Sequence, residues 1–327
     1  MPTTSIGTPW LWVISIAVLL ALLATDFLVT RHPHEVHLRE AIGWTAFYLT
    51  LPLLFGLLLW ATFSGQHALE FITGFVVEKS LSVDNLFVFM LLLAGFAVPP
   101  ELQQRVLLYG IVGALVLRGV FIAAGAALLH TGTWAFLLFG AVLLVTAGKI
   151  LHQAITGAGF DHDVSELRSV RLLRRLMPIT EDYRGTQLIV RDSGRTTLTP
   201  LAVVVVAVFA TDIVFAVDSV PAVYGVTDDP YLVFTTNAFA LLGLRALYFV
   251  LHTTLTQLEH LSHGLAVILA FIGAKLVLHW AHDIWPALPQ IPTTLSLAVI
   301  VLVLATVTVT SLHARRRTQR SEPGNSP

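Results

Sequence analysis

The sequence contains no cysteine. Disulfides, thiolate metal sites and thiol redox chemistry are therefore excluded. Charge is also scarce: Asp, Glu, Lys and Arg make up 12% of the 327 residues, against roughly 25% in soluble domains. With 56% hydrophobic residues and a mean hydropathy of +0.80, the chain is not composed like a water-soluble globule. No positive segment precedes the first apolar run, 10–29, which is long enough to span a bilayer and reads as a span, not a cleavable leader. No arrangement of basic residues points to a nucleic acid partner.

What is present is a succession of apolar runs, the signature of an all-α, polytopic helical membrane protein. About nine spans are expected, at 10–30, 41–62, 68–95, 105–129, 133–152, 199–224, 231–252, 263–280 and 293–312. The only long polar segment, 153–198, carries Arg168, Arg171, Arg174, Arg175, Arg184, Arg191 and Arg195, and the tail carries Arg315, Arg316, Arg317 and Arg320. Four spans separate these two basic segments, so both lie on one side, the cytoplasm by the positive-inside rule, and the N-terminus lies outside. The expected outer connections near 63–67, 130–132, 225–230 and 281–292 contain no Lys or Arg.

Within the polar segment, 164–176 has an amphipathic helical pattern that ends before Pro178, and 186–197 reads as a small hairpin turning at Asp192-Ser193-Gly194. The helix would lie on lipid headgroups or dock a protein partner. Trp10, Trp12, Trp44, Trp60, Trp134, Trp280 and Trp285 fall near span ends and read as interface anchors. The tail after Ser311 reads as disordered.

Residues 75–87 place Glu78, Lys79, Ser80, Ser82, Asp84 and Asn85 inside an otherwise apolar span. An ionisable group at bilayer depth costs at least ~2.5–3.5 kcal/mol, so it faces a cavity or a partner. The stretch has a second copy: Phe75-x-x-Glu78-x-x-x-x-Val83-Asp84-Asn85 matches Phe209-x-x-Asp212-x-x-x-x-Val217-Asp218-Ser219. Downstream, Leu117-Arg118-Gly119 parallels Leu244-Arg245-Ala246, and Gly148-Lys149 parallels Ala274-Lys275. The order acid, acid, Arg, Lys thus occurs in spans 3–5 and again in spans 6–8. Because one unit starts outside and the other inside, the two are inverted three-helix repeats, an architecture of secondary transporters with a midplane site. The chain accordingly divides into two peripheral spans (1–66), the first repeat (67–152), the cytoplasmic loop (153–198), the second repeat (199–280), and a last peripheral span with the basic tail (281–327).

Asp84, Asn85, Asp218 and Ser219 offer hard oxygen ligands from symmetry-related places, suited to Mg²⁺, Ca²⁺ or Mn²⁺, while Glu78 and Asp212 complete the set or carry protons. Six residues turn an α-helix through about 600°, leaving the two acids of each motif about 120° apart. Either the span is broken or tightened near Ser80–Ser82, or the acids serve two neighbouring clefts. Arg118, Arg245 and Lys79 are the expected ion-pair and coupling residues, with Asn237 bonding across helices. The plainer alternative is that these cations simply neutralise the acids as buried pairs. Lys149 and Lys275, near span ends, read as snorkelling. His252, Glu259, His260 and His263 form a weaker candidate for metal capture at a mouth, as does Asp161-His162-Asp163.

The segments Glu78-Lys79-Ser80-Leu81-Ser82-Val83-Asp84-Asn85-Leu86-Phe87 and Thr211-Asp212-Ile213-Val214-Phe215-Ala216-Val217-Asp218-Ser219-Val220-Pro221-Ala222 resemble the TerC family of integral membrane proteins. The stretch 237–249 and the loop segment 178–185 resemble it too. The resemblance, over about 40–313, extends to the family's Alx branch and to the LysE-like exporter group. It implies a role in tellurium-ion resistance and, as for several members, export of manganese through Glu78, Asp84, Asp212 and Asp218. One departure stands out: many relatives carry a further acid where this chain has Phe209. The expected function is therefore efflux of a divalent cation, manganese, coupled to proton entry, without enzymatic activity or a resident cofactor. The alternative is a scaffold that anchors stress-response or metal-delivery proteins through the 153–198 loop.

Overall fold

The computed structural model describes residues 5–29, 38–156, 178–180, 182–192, 195–254 and 261–321. The helices are α1 (Pro9–Val29), α2 (Leu38–Thr62), α3 (Gly65–Gly95), α4 (Pro100–His130) and α5 (Trp134–Thr156). After a hairpin of β1 (Ile189–Asp192) and β2 (Arg195–Leu198) come α6 (Pro200–Tyr224), α7 (Pro230–Leu242), α8 (Leu244–Thr254), α9 (Leu261–Ile284) and α10 (Thr293–Ser321). The chain is an all-α, multi-pass membrane protein. Among the described residues, seven helices are long and apolar enough to cross a membrane: α1, α2, α4, α5, α6, α9 and α10. Helix α3 is more polar because it carries Glu70, Glu78, Lys79 and Asp84, yet its 31 residues reach about 46 Å.

Helix starts follow local chemistry. Ser64 caps α3 by accepting from His67 N, Thr199 caps α6 ahead of Pro200, and Asp229 caps α7 ahead of Pro230. These residues satisfy backbone donors that would otherwise be orphaned. Two expectations change. The seventh span is not one helix: it stops at Leu242, turns at Gly243 and resumes as α8. The segment 312–321, expected to be disordered, continues α10. Its arginines sit at the helix C-terminus, where positive charge is favoured. The amphipathic pattern at 164–176, Asp161-His162-Asp163, Glu259 and His260 lie outside the described residues, as does the side chain of His252.

The helices after the hairpin pack against those before it: α6 and α7 each contact both α3 and α4, and α5 packs on α9. The remaining helices are built onto this frame. Ser5 Oγ donates to Asp229 Oδ1 at 2.6 Å, and Ile6 N donates to Asp229 Oδ2 at 2.8 Å. Ser15 and Tyr231 hydroxyls bond at 2.7 Å, with Trp12 edge-on to the Tyr231 ring. Helix α1 is thereby tied to α7, so Trp12 is a packing residue, whereas Trp10, Trp60, Trp134 and Trp285 are exposed. Lys149 is exposed near the end of α5, as snorkelling requires.

The hairpin pairs Ile189 with Leu198 through Asp192 with Arg195, and Pro178 O accepts from Leu198 N. Ile179, Tyr183 and Leu188 pack against the apolar cluster that contains Leu86, Phe89 and Leu93 of α3. Tyr183 donates its hydroxyl to Phe96 O at 2.8 Å, and burial raises its phenol above the ordinary range, so it stays a donor. This loop segment closes one end of the bundle.

Two glycine contacts set helix spacing. A Cβ on Gly140 would lie 2.8 Å from Gly273 O, so α5 and α9 touch backbone to backbone. A Cβ on Gly113 would lie 1.7 Å from the Phe209 ring, which therefore rests on bare α4 backbone. Gly148 faces open space. Gly140→Ala should destabilise the protein by about 1–3 kcal/mol, because the obstacle is backbone. Gly148→Ala should be neutral or slightly stabilising, and thermal unfolding of both variants in detergent checks the contrast.

Candidate functional site

Helix α3 runs without interruption through Ser80–Ser82, and α6 runs through Pro221 to Tyr224. Ser80 Oγ donates to Val76 O at 2.5 Å, so its hydroxyl supplements the helical ladder. The expected break is absent there, and the six residues of unbroken α6 between Asp212 and Asp218 set those two acids on different sides. Seven residues turn a helix through about 700°, close to two full turns. The residue sharing a helix face with Glu78 is therefore Asn85, with Ser82 between them, and the residue sharing a face with Asp212 is Ser219. Burial follows this geometry. Glu78, Ser82, Asn85, Asp212 and Ser219 are all buried, whereas Asp218 is only half-buried.

Glu78 and Asp212, the equivalent acids of the two motifs, meet at one guanidinium. Arg118 Nη1, from α4, pairs with Glu78 Oε1, and Nη2 lies 3.6 Å from Asp212 Oδ1. Nη1 also donates to Asn237 Oδ1 on α7 at 2.9 Å. Asn237 is oriented by its own helix, its Nδ2 donating to Val233 O at 2.9 Å, which leaves Oδ1 to accept. Relative exposures are 0% for Glu78, 1% for Arg118, 2% for Asp212 and 1% for Asn237, so water screens none of these charges. Four helices, α3, α4, α6 and α7, thus contribute one side chain each.

The cluster is polar beyond what its members satisfy. Glu78 Oε2, Asp212 Oδ2, Ser82 Oγ, Ser219 Oγ and Thr236 Oγ1 are buried without hydrogen-bond partners, as are Arg118 Nε and Nη2. Unpaired polar atoms at this depth cost about 1–3 kcal/mol each when left unsatisfied. Four of these oxygens, Glu78 Oε2, Ser82 Oγ, Asp212 Oδ2 and Ser219 Oγ, lie on the two helix faces that carry the acids, which suits those faces to receiving something polar. Among the described residues, no three His, Asp or Glu side chains gather closely enough to enclose a metal ion.

The other candidates fall elsewhere. Asp84 and Arg245 lie on α3 and α8, and their side chains are outside the described set. Lys79 reaches α7, donating from Nζ to Ala240 O at 3.2 Å. Ala240 is in the last turn of α7, where carbonyls lose their helical partners, and an ammonium there both bonds and opposes the helix dipole. A Cβ on Gly243 would lie 3.0 Å from that Nζ, so the glycine at the break makes room for the lysine. Sequence reading gives no sign of this pairing. Lys275 does not merely snorkel: it lines a cavity of about 800 Å³ with Glu70, Tyr224, Thr227, Asp228 and His279. Glu70 is held there by Thr227 Oγ1 at 2.8 Å and Gln66 Nε2 at 2.9 Å. Glu70 precedes Glu78 on α3 by about 12 Å of helix rise.

Lys79→Met should leave the Ala240 carbonyl without its donor and cost about 1–3 kcal/mol. A lower unfolding midpoint, partly restored in Lys79→Arg, checks this.

Comparison with known proteins bears on the same residues. Residues 63–319 match the integral membrane protein TerC family. The chain is 40% identical over 307 residues to a Salmonella typhi protein named "Putative membrane-bound redox modulator Alx", covering 90% of this chain and 92% of that one. It is 40% identical over 275 residues to an uncharacterized membrane protein of Myxococcus xanthus, covering 84% and 85%. It is 41% identical over 273 residues to an uncharacterized membrane protein of Mycobacterium tuberculosis, covering 83% and 69%. No solved structure matches. The matched region contains both acidic motifs, the Arg118 cluster and the broken α7–α8 segment, and on this ground the chain belongs to the TerC family of integral membrane proteins.

Proposed function

We propose that the protein exports a hard divalent cation, manganese, in exchange for protons, through a path between two inverted three-helix repeats. The observation that carries this reading is the meeting of Glu78 and Asp212 in the bundle core, one from each repeat, amid oxygens that lack partners. Carboxylate, hydroxyl and amide oxygens at such a point form a hard donor set. Carboxylates that release a cation into a dry core take up protons readily, which is the elementary step of exchange. The stripes Glu78–Ser82–Asn85 and Asp212–Ser219 line the path, with Asp84 and Asp218 a further station beside it.

The cavity at Glu70 and Lys275 supports a route to the outside, since α3 begins there and α6 ends there. Nine spans follow if α3 and the α7–α8 pair join the seven apolar helices, with the N-terminus outside and the C-terminus in the cytoplasm of a bacterial inner membrane. The link to metal and tellurium-ion resistance then operates through ion balance. A thiol-based redox role, which the name of the Salmonella relative could bring to mind, is excluded because the chain has no cysteine.

In proteoliposomes, wild-type protein should transport Mn²⁺ in competition with Mg²⁺ and Ca²⁺. Glu78→Gln and Asp212→Asn should each reduce the rate about tenfold or more. Normal transport by both variants would overturn the site. Deleting the 189–198 hairpin separates the scaffold alternative, which requires loss of phenotype with ion flux retained. The cysteine-free background also permits a topology check. Asp228→Cys should react with an impermeant thiol reagent in intact cells, and Arg184→Cys only after permeabilisation.

A further inference from the structure

The Glu78–Arg118–Asp212 cluster leaves much of its hydrogen-bonding capacity unused. The Arg118 guanidinium has five donors, yet Nε and Nη2 have no hydrogen-bond partner, and its hydrogen-bonded neutral acceptor is Asn237 Oδ1. The carboxylates are equally incomplete, each with one oxygen unpartnered. A buried ion pair that served packing alone would use these donors and acceptors on one another. Here the guanidinium stands between two acids and saturates neither.

From this geometry we infer that Arg118 is a tethered stand-in for the transported cation. It occupies the place between Glu78 and Asp212 when no metal is there and withdraws onto Asn237 when one arrives. The inference rests on the transport reading above and adds the device that sets charge selectivity. Two ionised carboxylates carry two negative charges, and the guanidinium balances one of them. A divalent ion balances both, and its entry lets the two acids close on a common centre in place of the Arg118 guanidinium that now contacts each of them. A monovalent ion would replace one positive charge with another, at the cost of dehydrating it and moving the arginine. The exchange therefore favours divalent ions without a preformed cage.

Asn237 is the parking place. Its amide nitrogen is held by Val233 O, so Oδ1 stays available to Nη1 in either position. The hold lies on α7, about two turns before the break at Gly243, so each exchange loads and unloads a helix that ends within the bundle. Emptying the site returns the guanidinium to the acids, which keeps an unloaded core from holding two bare carboxylates and limits rebinding.

The test measures equilibrium binding of Mn²⁺ to purified full-length protein, with Na⁺ as competitor, alongside proteoliposome flux. R118Q should bind Mn²⁺ about tenfold tighter or more, become sensitive to Na⁺, and release its cargo slowly enough to lower flux. N237A, which keeps Arg118 but removes its parking place, should shift affinity the opposite way, about tenfold weaker. R118K, a cation without the fork, should lie between wild type and R118Q. A merely structural arginine predicts that R118Q and N237A both weaken binding, and that result, or unchanged affinity in R118Q, overturns the assignment. If R118Q does not fold, N237A and R118K decide: weaker binding in N237A with tighter binding in R118K supports the exchange, and any other pair of results overturns it. Wild-type binding with R118Q unchanged or weaker rejects only the role of Arg118. Absence of divalent binding in wild type and all variants rejects the transport reading and this inference together.

Discussion

Everything in the core follows from the difficulty of keeping carboxylates ionised where water does not reach. Glu78 and Asp212 are buried as deeply as the leucines around them, and a lone charge there would be neutralised or expelled. Arg118 makes their burial tolerable, and Asn237 holds Arg118 in place. Four helices must therefore keep their mutual positions to within a bond length. The close approach of α5 and α9 at Gly140 and Gly273, and the anchoring of α1 through Asp229, hold the frame on which that accuracy depends.

The same economy governs the break between α7 and α8. A helix end inside a membrane leaves carbonyls that lipid cannot satisfy, so such ends occur where protein supplies partners. Lys79 supplies one at Ala240, from the residue next to Glu78 in sequence. Adjacent residues on α3, about 100° apart around the helix, thus perform unrelated tasks: Glu78 joins the charge cluster, and Lys79 secures the end of a broken span. Neither task requires the two to pair with each other.

Much of this is legible in the chain before any coordinates, for identifiable reasons. Charged residues in apolar runs cannot hide, so the two acidic motifs, their repetition and the arginines that follow stand out at once. The involvement of Glu78, Asp212, Arg118 and Asn237 in one neighbourhood follows from that contrast. Which acids share a helix face is legible too, but only if Asn85 and Ser219 are weighed equally with the more conspicuous Asp84 and Asp218 beside them. The break at Gly243 is not legible, since Leu-Gly-Leu in an apolar run carries no stop signal and its partner Lys79 lies 161 residues from Ala240. The Asp229 tie to Ser5 and Ile6 is hidden for the same reason: it is a long-range contact between two ordinary loop sequences.

The Phe209 ring lying on Gly113 ties two positions on different helices to one another. A ring at that height on α6 leaves no room for any side chain on the facing turn of α4, whereas a shorter residue in its place would release the constraint. What is tolerated at 113 therefore depends on what stands at 209, and at this height the two helices can change only in step.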